Sequence, residues 1–127
     1  MILGVGTDII KICRIENSIN RTRNFLSGIF SDDEIKYFNS KSNSLESIAG
    51  NFAAKEAISK ALGTGFRSFR HKDIEVLRDD FGKPIVILSK KIEEKFKLTN
   101  YVIHLSISHT TEDAVAFAVL EVIDNCM

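Results

Sequence analysis

Two carboxylates, a lysine and a histidine are the groups of this chain whose type and setting could do chemistry. Asp8 stands in the run GVGTDI, two residues after the second of two glycines. Aspartate is depleted within strands, and glycines on its own face leave open space beside its carboxylate. It either caps a helix that follows or serves as a ligand. Glu56 and Lys60 lie in the alanine-rich segment FAAKEAISKA, on the arc that also carries Phe52, Ala49 and Ala53. A solvated Glu–Lys pair one turn apart contributes only about 0.2–0.5 kcal/mol. Among alanines and a phenylalanine, however, a carboxylate and an ammonium require compensation, which a metal and a phosphate group would supply.

Other candidates are weaker. His109 ends a segment whose alternation groups it with Ile103, Leu105 and Ile107, while His104, Ser106 and Ser108 face the other way. The two histidines therefore point apart, and no cysteine stands at useful spacing, which argues against zinc. Gly63-Thr64-Gly65 stops a helix and opens a loop containing Arg67, Arg70, His71 and Lys72, which either holds phosphates or is simply solvated. Lys11, Arg14, Arg21 and Arg23 against Glu16, flanked by Phe25 and Leu26, form either a docking surface for an acidic partner or an ordinary charged face.

The elements that must position these groups can be read from periodicity and caps. Residues 2–10 read as a strand with Ile2, Gly4, Gly6, Asp8 and Ile10 on one face. A helix is expected over 11–23, with Ile12, Ile15 and Ile19 at helical spacing. A second is expected over 32–38, because Ser31-Asp32-Asp33-Glu34 is a capping-box signature. The strongest helix runs from 45 or 46 to 62 and reads as buried on nearly every side, with Gly63 as its left-handed stop. Strands are expected over 73–78, 84–88, 101–109 and 114–122, and a short helix over 89–96. The class is α+β, a single domain over the 127 residues.

Composition excludes some functions. Seventeen basic residues balance seventeen acidic ones, which speaks against a surface built for nucleic acid or anionic membrane. The apolar start is too short to span a membrane and lacks the layout of a secretory signal. Cys13 and Cys126 are expected to be reduced thiols of a soluble, cytoplasmic protein.

Taken together, GVGTDI at 4–9, FAAKEAISKALGTG at 52–65, GKP at 82–84 and SISHT at 106–110 resemble the holo-acyl-carrier-protein synthase family, the short type of phosphopantetheinyl transferase. The resemblance runs over nearly the whole chain in the family's order. It implies transfer of 4′-phosphopantetheine from coenzyme A to a serine of apo acyl carrier protein, releasing 3′,5′-ADP, for fatty acid biosynthesis. It further implies Mg²⁺ on Asp8 and Glu56, and Lys60 and His109 near the coenzyme A phosphates, with Glu56, Lys60 and His109 as catalytic groups. Gly63, Thr64, Gly65, Lys83 and Pro84 resemble parts of the nucleotide pocket, and Arg14, Arg21 and Phe25 the carrier-docking surface. The family works as a homotrimer with sites at subunit boundaries. The serine proton would pass to Glu56, a water or a carboxylate of the carrier. Two departures stand out: Asn51, where relatives often have arginine, and Ser27-Gly28, where they often carry a basic residue. The first implies a missing phosphate or carrier contact, the second weaker docking.

Overall fold

The computed structural model describes residues 1–123; the thiol expected at Cys126 lies outside them, while Cys13 is free and exposed. The elements follow in the order β1 (Ile2–Lys11), α1 (Ile12–Arg21), α2 (Phe25–Ile29), α3 (Asp32–Ser40), α4 (Leu45–Leu62), a single 3₁₀ turn (His71–Asp73), β2 (Ile74–Arg78), β3 (Pro84–Leu88), α5 (Lys90–Lys95), β4 (Tyr101–His109) and β5 (Asp113–Val122). Strands β1, β5 and β4 form an antiparallel sheet in that spatial order, and β2 and β3 form a separate hairpin. This is an α+β fold with antiparallel sheets.

Helix α4 organises the molecule. It lies on the three-stranded sheet and is buried at Ala49, Ala53, Ala54, Ala57, Ile58 and Ala61, so its small side chains allow the close approach. The sheet answers with Ala114, Ala116 and Ala118 of β5, all buried; this alanine stripe serves an internal helix–sheet contact. Glycine is required at the crossing of β1 and α4. A Cβ on Gly4 would stand 1.9 Å from the Ala61 carbonyl oxygen, and one on Gly6 1.9 Å from that of Ala57. The bare face expected from the alternation of β1 is thus the face on which α4 rests.

The ends of the helices follow the expected signals. Ser31 Oγ accepts from the Glu34 amide at 3.2 Å while Glu34 Oε1 accepts from the Ser31 amide at 3.1 Å, a reciprocal cap on α3. Gly63 ends α4 in the left-handed region at φ 94°. Helix α2 was not expected from periodicity. It has only five residues and starts after Asn24, itself left-handed at φ 64°. No helix among the described residues is long and apolar enough to cross a membrane.

Candidate functional site

The last residues of β1 and the middle of α4 place Asp8 and Glu56 on one cleft. Its volume is about 290 Å³, and Arg14, Phe25 and Phe52 also line it. Asp8 does not cap α1: that helix has Lys11 at its N-cap and no side-chain cap bond. The Asp8 carboxylate instead receives Lys60 Nζ at 3.3 Å, and Lys60 also donates to the Thr7 carbonyl at 2.9 Å. Burial raises the Asp8 pKa from its ordinary value, the Lys60 bond and charge oppose the rise, and the charge of Glu56 adds to it. Two carboxylates therefore face one cleft at some electrostatic cost, and a hard cation with oxygen preference would relieve that cost.

Two expectations about α4 need correcting. Lys60 is not a buried lysine, since its side chain is 53% exposed. Glu56 and Lys60 are not partners of one another either. Glu56 Oε1 lies 3.1 Å from His71 Nε2, with side-chain exposures of 28% and 24%. The arc shared with Phe52 and the alanines pointed inward, but it opens at the edge of the sheet, where β1 ends and the cleft begins.

The fully buried charges are others. Lys55 and Glu34 are both inaccessible and paired at 2.7 Å. Lys55 Nζ also donates to the carbonyls of Ile29 at 3.1 Å, His71 at 3.0 Å and Ile74 at 2.6 Å. Glu34 Oε2 accepts from Asn51 Nδ2 at 3.2 Å and from the Val76 amide at 3.3 Å. Burial lowers the Lys55 pKa from its ordinary value, and the charge of Glu34 and its hydrogen bond pull it back up. Asn51 is part of this network, not a surface contact: it donates to the Val76 carbonyl at 2.9 Å and accepts from Arg78 Nη2 at 2.9 Å. The guanidinium of Arg78 lies 4.7 Å from the Tyr37 ring centroid. Sequence reasoning missed Lys55 and Arg78, read Glu34 only as a helix cap, and placed His71 in a basic loop without its contact to Glu56. The one available signal was a lysine inside an alanine run, where a partner is obligatory.

His109 belongs to a different cleft, about 290 Å³ in volume, lined among others by Tyr37, Arg78, Gly82, Pro84 and Ser106. Within one chain it is therefore not gathered with Asp8, Glu56 and Lys60. Its ring Nδ1 lies 3.4 Å from the Thr110 carbonyl oxygen. Lys83 sits in the turn between β2 and β3, its amide bonded to Asp79 Oδ1 at 2.9 Å. Gly63, Thr64 and Gly65 follow α4, with Gly65 left-handed at φ 62° and its amide donating to the Ser59 carbonyl at 3.2 Å. Arg14 and Phe25 border the carboxylate cleft, whereas Arg21 ends α1 in solvent. No cluster of three metal-ligating side chains occurs among the described residues. A cation at Asp8 and Glu56 would thus complete its shell with water or substrate oxygens.

A fold with helix α4 across an antiparallel sheet, two carboxylates on one cleft and a histidine on another now meets known proteins. The model of the 4′-phosphopantetheinyl transferase superfamily matches residues 4–119, and the chain belongs to that superfamily. Its relatives narrow the class. A holo-[acyl-carrier-protein] synthase of Clostridium botulinum is 55% identical over 123 residues, covering 97% of this chain and 100% of the relative. That of Clostridium beijerinckii shares 55% identity over the same length. Among solved structures, the holo-(acyl-carrier-protein) synthase of Bacillus anthracis in complex with CoA (3′,5′-ADP) is 44% identical. It superimposes with a TM-score of 0.81 over 97% of this chain and 99% of that one. The Helicobacter pylori synthase in complex with coenzyme A is 35% identical, with a TM-score of 0.82 over 92% and 99%. The resemblance carried by the four sequence motifs is a true family relationship.

Proposed function

We propose that this chain transfers the 4′-phosphopantetheine group of coenzyme A to a serine hydroxyl of apo acyl carrier protein, releasing 3′,5′-ADP. The holo carrier so formed would serve fatty acid biosynthesis in the cytoplasm. The observation that carries the reading is the pair Asp8 and Glu56 on one cleft, in a chain whose relatives include synthases solved with coenzyme A.

Asp8 and Glu56 would hold Mg²⁺, since both are oxygen donors on one cleft and their like charges oppose one another there. Bound there, the cation would neutralise the charge on the pyrophosphate oxygens. Lys60, half exposed and bonded to Asp8 and the Thr7 carbonyl, would add positive charge near the phosphates. The serine oxygen forms a bond to the β-phosphorus and gives its proton to Glu56, a water or a carboxylate of the carrier; the bond from that phosphorus to the bridging oxygen breaks, and that oxygen leaves on 3′,5′-ADP. Positioning and electrostatics supply most of the catalysis in such transfers. Arg14 and Phe25 at the mouth of the cleft, with Arg21 further along α1, would receive the acidic carrier.

His109, Gly82 and Pro84 line a cleft of their own, so a complete site calls for a second copy. Arg78, held by Asn51 and Tyr37, adds a guanidinium to that cleft and compensates for the arginine absent at 51. The outward face of the sheet exposes Leu3, Val5, Ile9 and Phe117, an apolar surface that subunit packing would cover. Both features support a homotrimer whose sites combine the Asp8–Glu56 cleft of one chain with the His109 cleft of the next, with Gly63, Thr64, Gly65 and Lys83 around the nucleotide.

The test is intact-mass spectrometry of apo acyl carrier protein incubated with this protein and coenzyme A, with Mg²⁺ and with chelator. A mass gain of one phosphopantetheine, lost with chelator, is expected. Consumption of coenzyme A without a gain on the carrier would instead identify a pyrophosphate hydrolase.

A further inference from the structure

The segment between α4 and β2 brings a histidine against Glu56, behind the cleft that this carboxylate shares with Asp8. His71 Nε2 faces Glu56 Oε1 at 3.1 Å. The imidazole stacks with Phe66, with ring centroids 3.8 Å apart and planes 17° from parallel, and with Phe52, at 5.7 Å and 21°. Its backbone is fixed as well, because the His71 carbonyl accepts from the buried Lys55 Nζ at 3.0 Å. An imidazole held by two rings and a buried ammonium has little freedom to leave its carboxylate. Glu56 offers four lone-pair sites on two oxygens, so a donor on Oε1 leaves Oε2 free.

We propose that His71 is a positioning residue for Glu56: it donates to Oε1 from a clamped ring and thereby presents Oε2 to the divalent cation. The inference rests on the reading of Glu56 as a cation ligand. Groups that orient a ligating carboxylate commonly change metal affinity by about 10–100-fold when removed. Phe66, Phe52 and Lys55 act one step further out, by fixing the ring and its backbone.

The experiment uses Mn²⁺ as the probe, titrated into the protein–coenzyme A complex and followed by electron paramagnetic resonance. Two replacements separate the hydrogen bond from the packing. His71→Phe keeps an aromatic ring for the stack and removes the donor, whereas His71→Asn keeps a donor and removes the ring. A positioning role predicts Mn²⁺ affinity lowered about 10–100-fold in His71→Phe and within a few-fold of the parent in His71→Asn. Transfer activity in His71→Phe should then return when metal is raised to saturation. The reverse order would show that the ring matters only as packing and would overturn the proposal. Glu56→Gln is the control for the underlying reading. If it loses Mn²⁺ while His71→Phe does not, the positioning role fails alone; if it binds Mn²⁺ like the parent, both fail.

Discussion

Helix α4 carries two sets of charged groups, and they differ in how completely they are satisfied. Lys55, on the inner side, meets Glu34 and three carbonyl oxygens, while both Glu34 oxygens accept from two donors each. Every acceptor position has a use, and no room remains for a ligand. Glu56 and Lys60, further toward the edge of the sheet, have few partners. Glu56 has His71, Lys60 has Asp8 and the Thr7 carbonyl, and the two carboxylates share a cleft open to solvent. A closed network holds the fold, whereas the groups proposed to meet substrate and metal keep acceptor positions open. Burial alone would have pointed to the wrong pair, because the most buried lysine of the helix is structural.

The strongest test of that contrast is removal of one partner from the closed network. Lys55→Met should destabilise the protein by about 3–5 kcal/mol, since it leaves the Glu34 carboxylate buried beside three orphaned carbonyls. The companion variant Glu34→Leu/Lys55→Met should recover part of that loss, because no charge then remains in the core. Chemical denaturation of the parent, single and double variants measures both. A single variant within 1 kcal/mol of the parent would remove the distinction between the two regions.

How much of this was legible in the sequence follows the range of the interactions. Local signals were read correctly: the reciprocal cap at Ser31 and Glu34, the long buried helix ending at Gly63, and the strand whose glycine face carries Asp8. Each depends on residues a few positions apart. Partners far along the chain were not legible. Lys55 meets Glu34 twenty-one positions away and His71 meets Glu56 fifteen away across a loop, and periodicity has no access to either. The capping glutamate hid its second task, because a capping box explains Glu34 fully without any core lysine. Asn51 looked like a lost contact because only the identity of the residue was visible, not the guanidinium of Arg78 held against it.

The crossing of β1 and α4 couples the two regions and gives a smaller effect. Gly6→Ala would drive a Cβ toward the Ala57 carbonyl, and backbone must shift to admit it. Overpacking of this kind costs about 1–3 kcal/mol. The strand would move away from the helix at the point where Asp8 approaches Glu56, so affinity for divalent cation should fall together with stability. Thermal unfolding and Mn²⁺ titration of the same variant check the pair. Lower stability with unchanged affinity would mean that the spacing of the carboxylates does not depend on the glycine face.

The smallest effect concerns Asp8 in the absence of metal. Its native pKa is raised, so the native state holds that proton more tightly than the unfolded chain does. The stability this adds is fully present below the unfolded pKa near 3.8 and is lost as pH rises through the native value. At neutral pH the ionised carboxylate is therefore a slight burden on the metal-free fold, partly offset by Lys60. Asp8→Asn should abolish metal-dependent transfer yet leave the chelated protein at least as stable as the parent, with a gain of at most about 0.5 kcal/mol. That difference should shrink as pH is lowered toward 4. Thermal unfolding in chelator across this range measures it. A loss above 1 kcal/mol at neutral pH would make Asp8 a structural anchor like Glu34, and the open cleft would lose its distinction from the closed core.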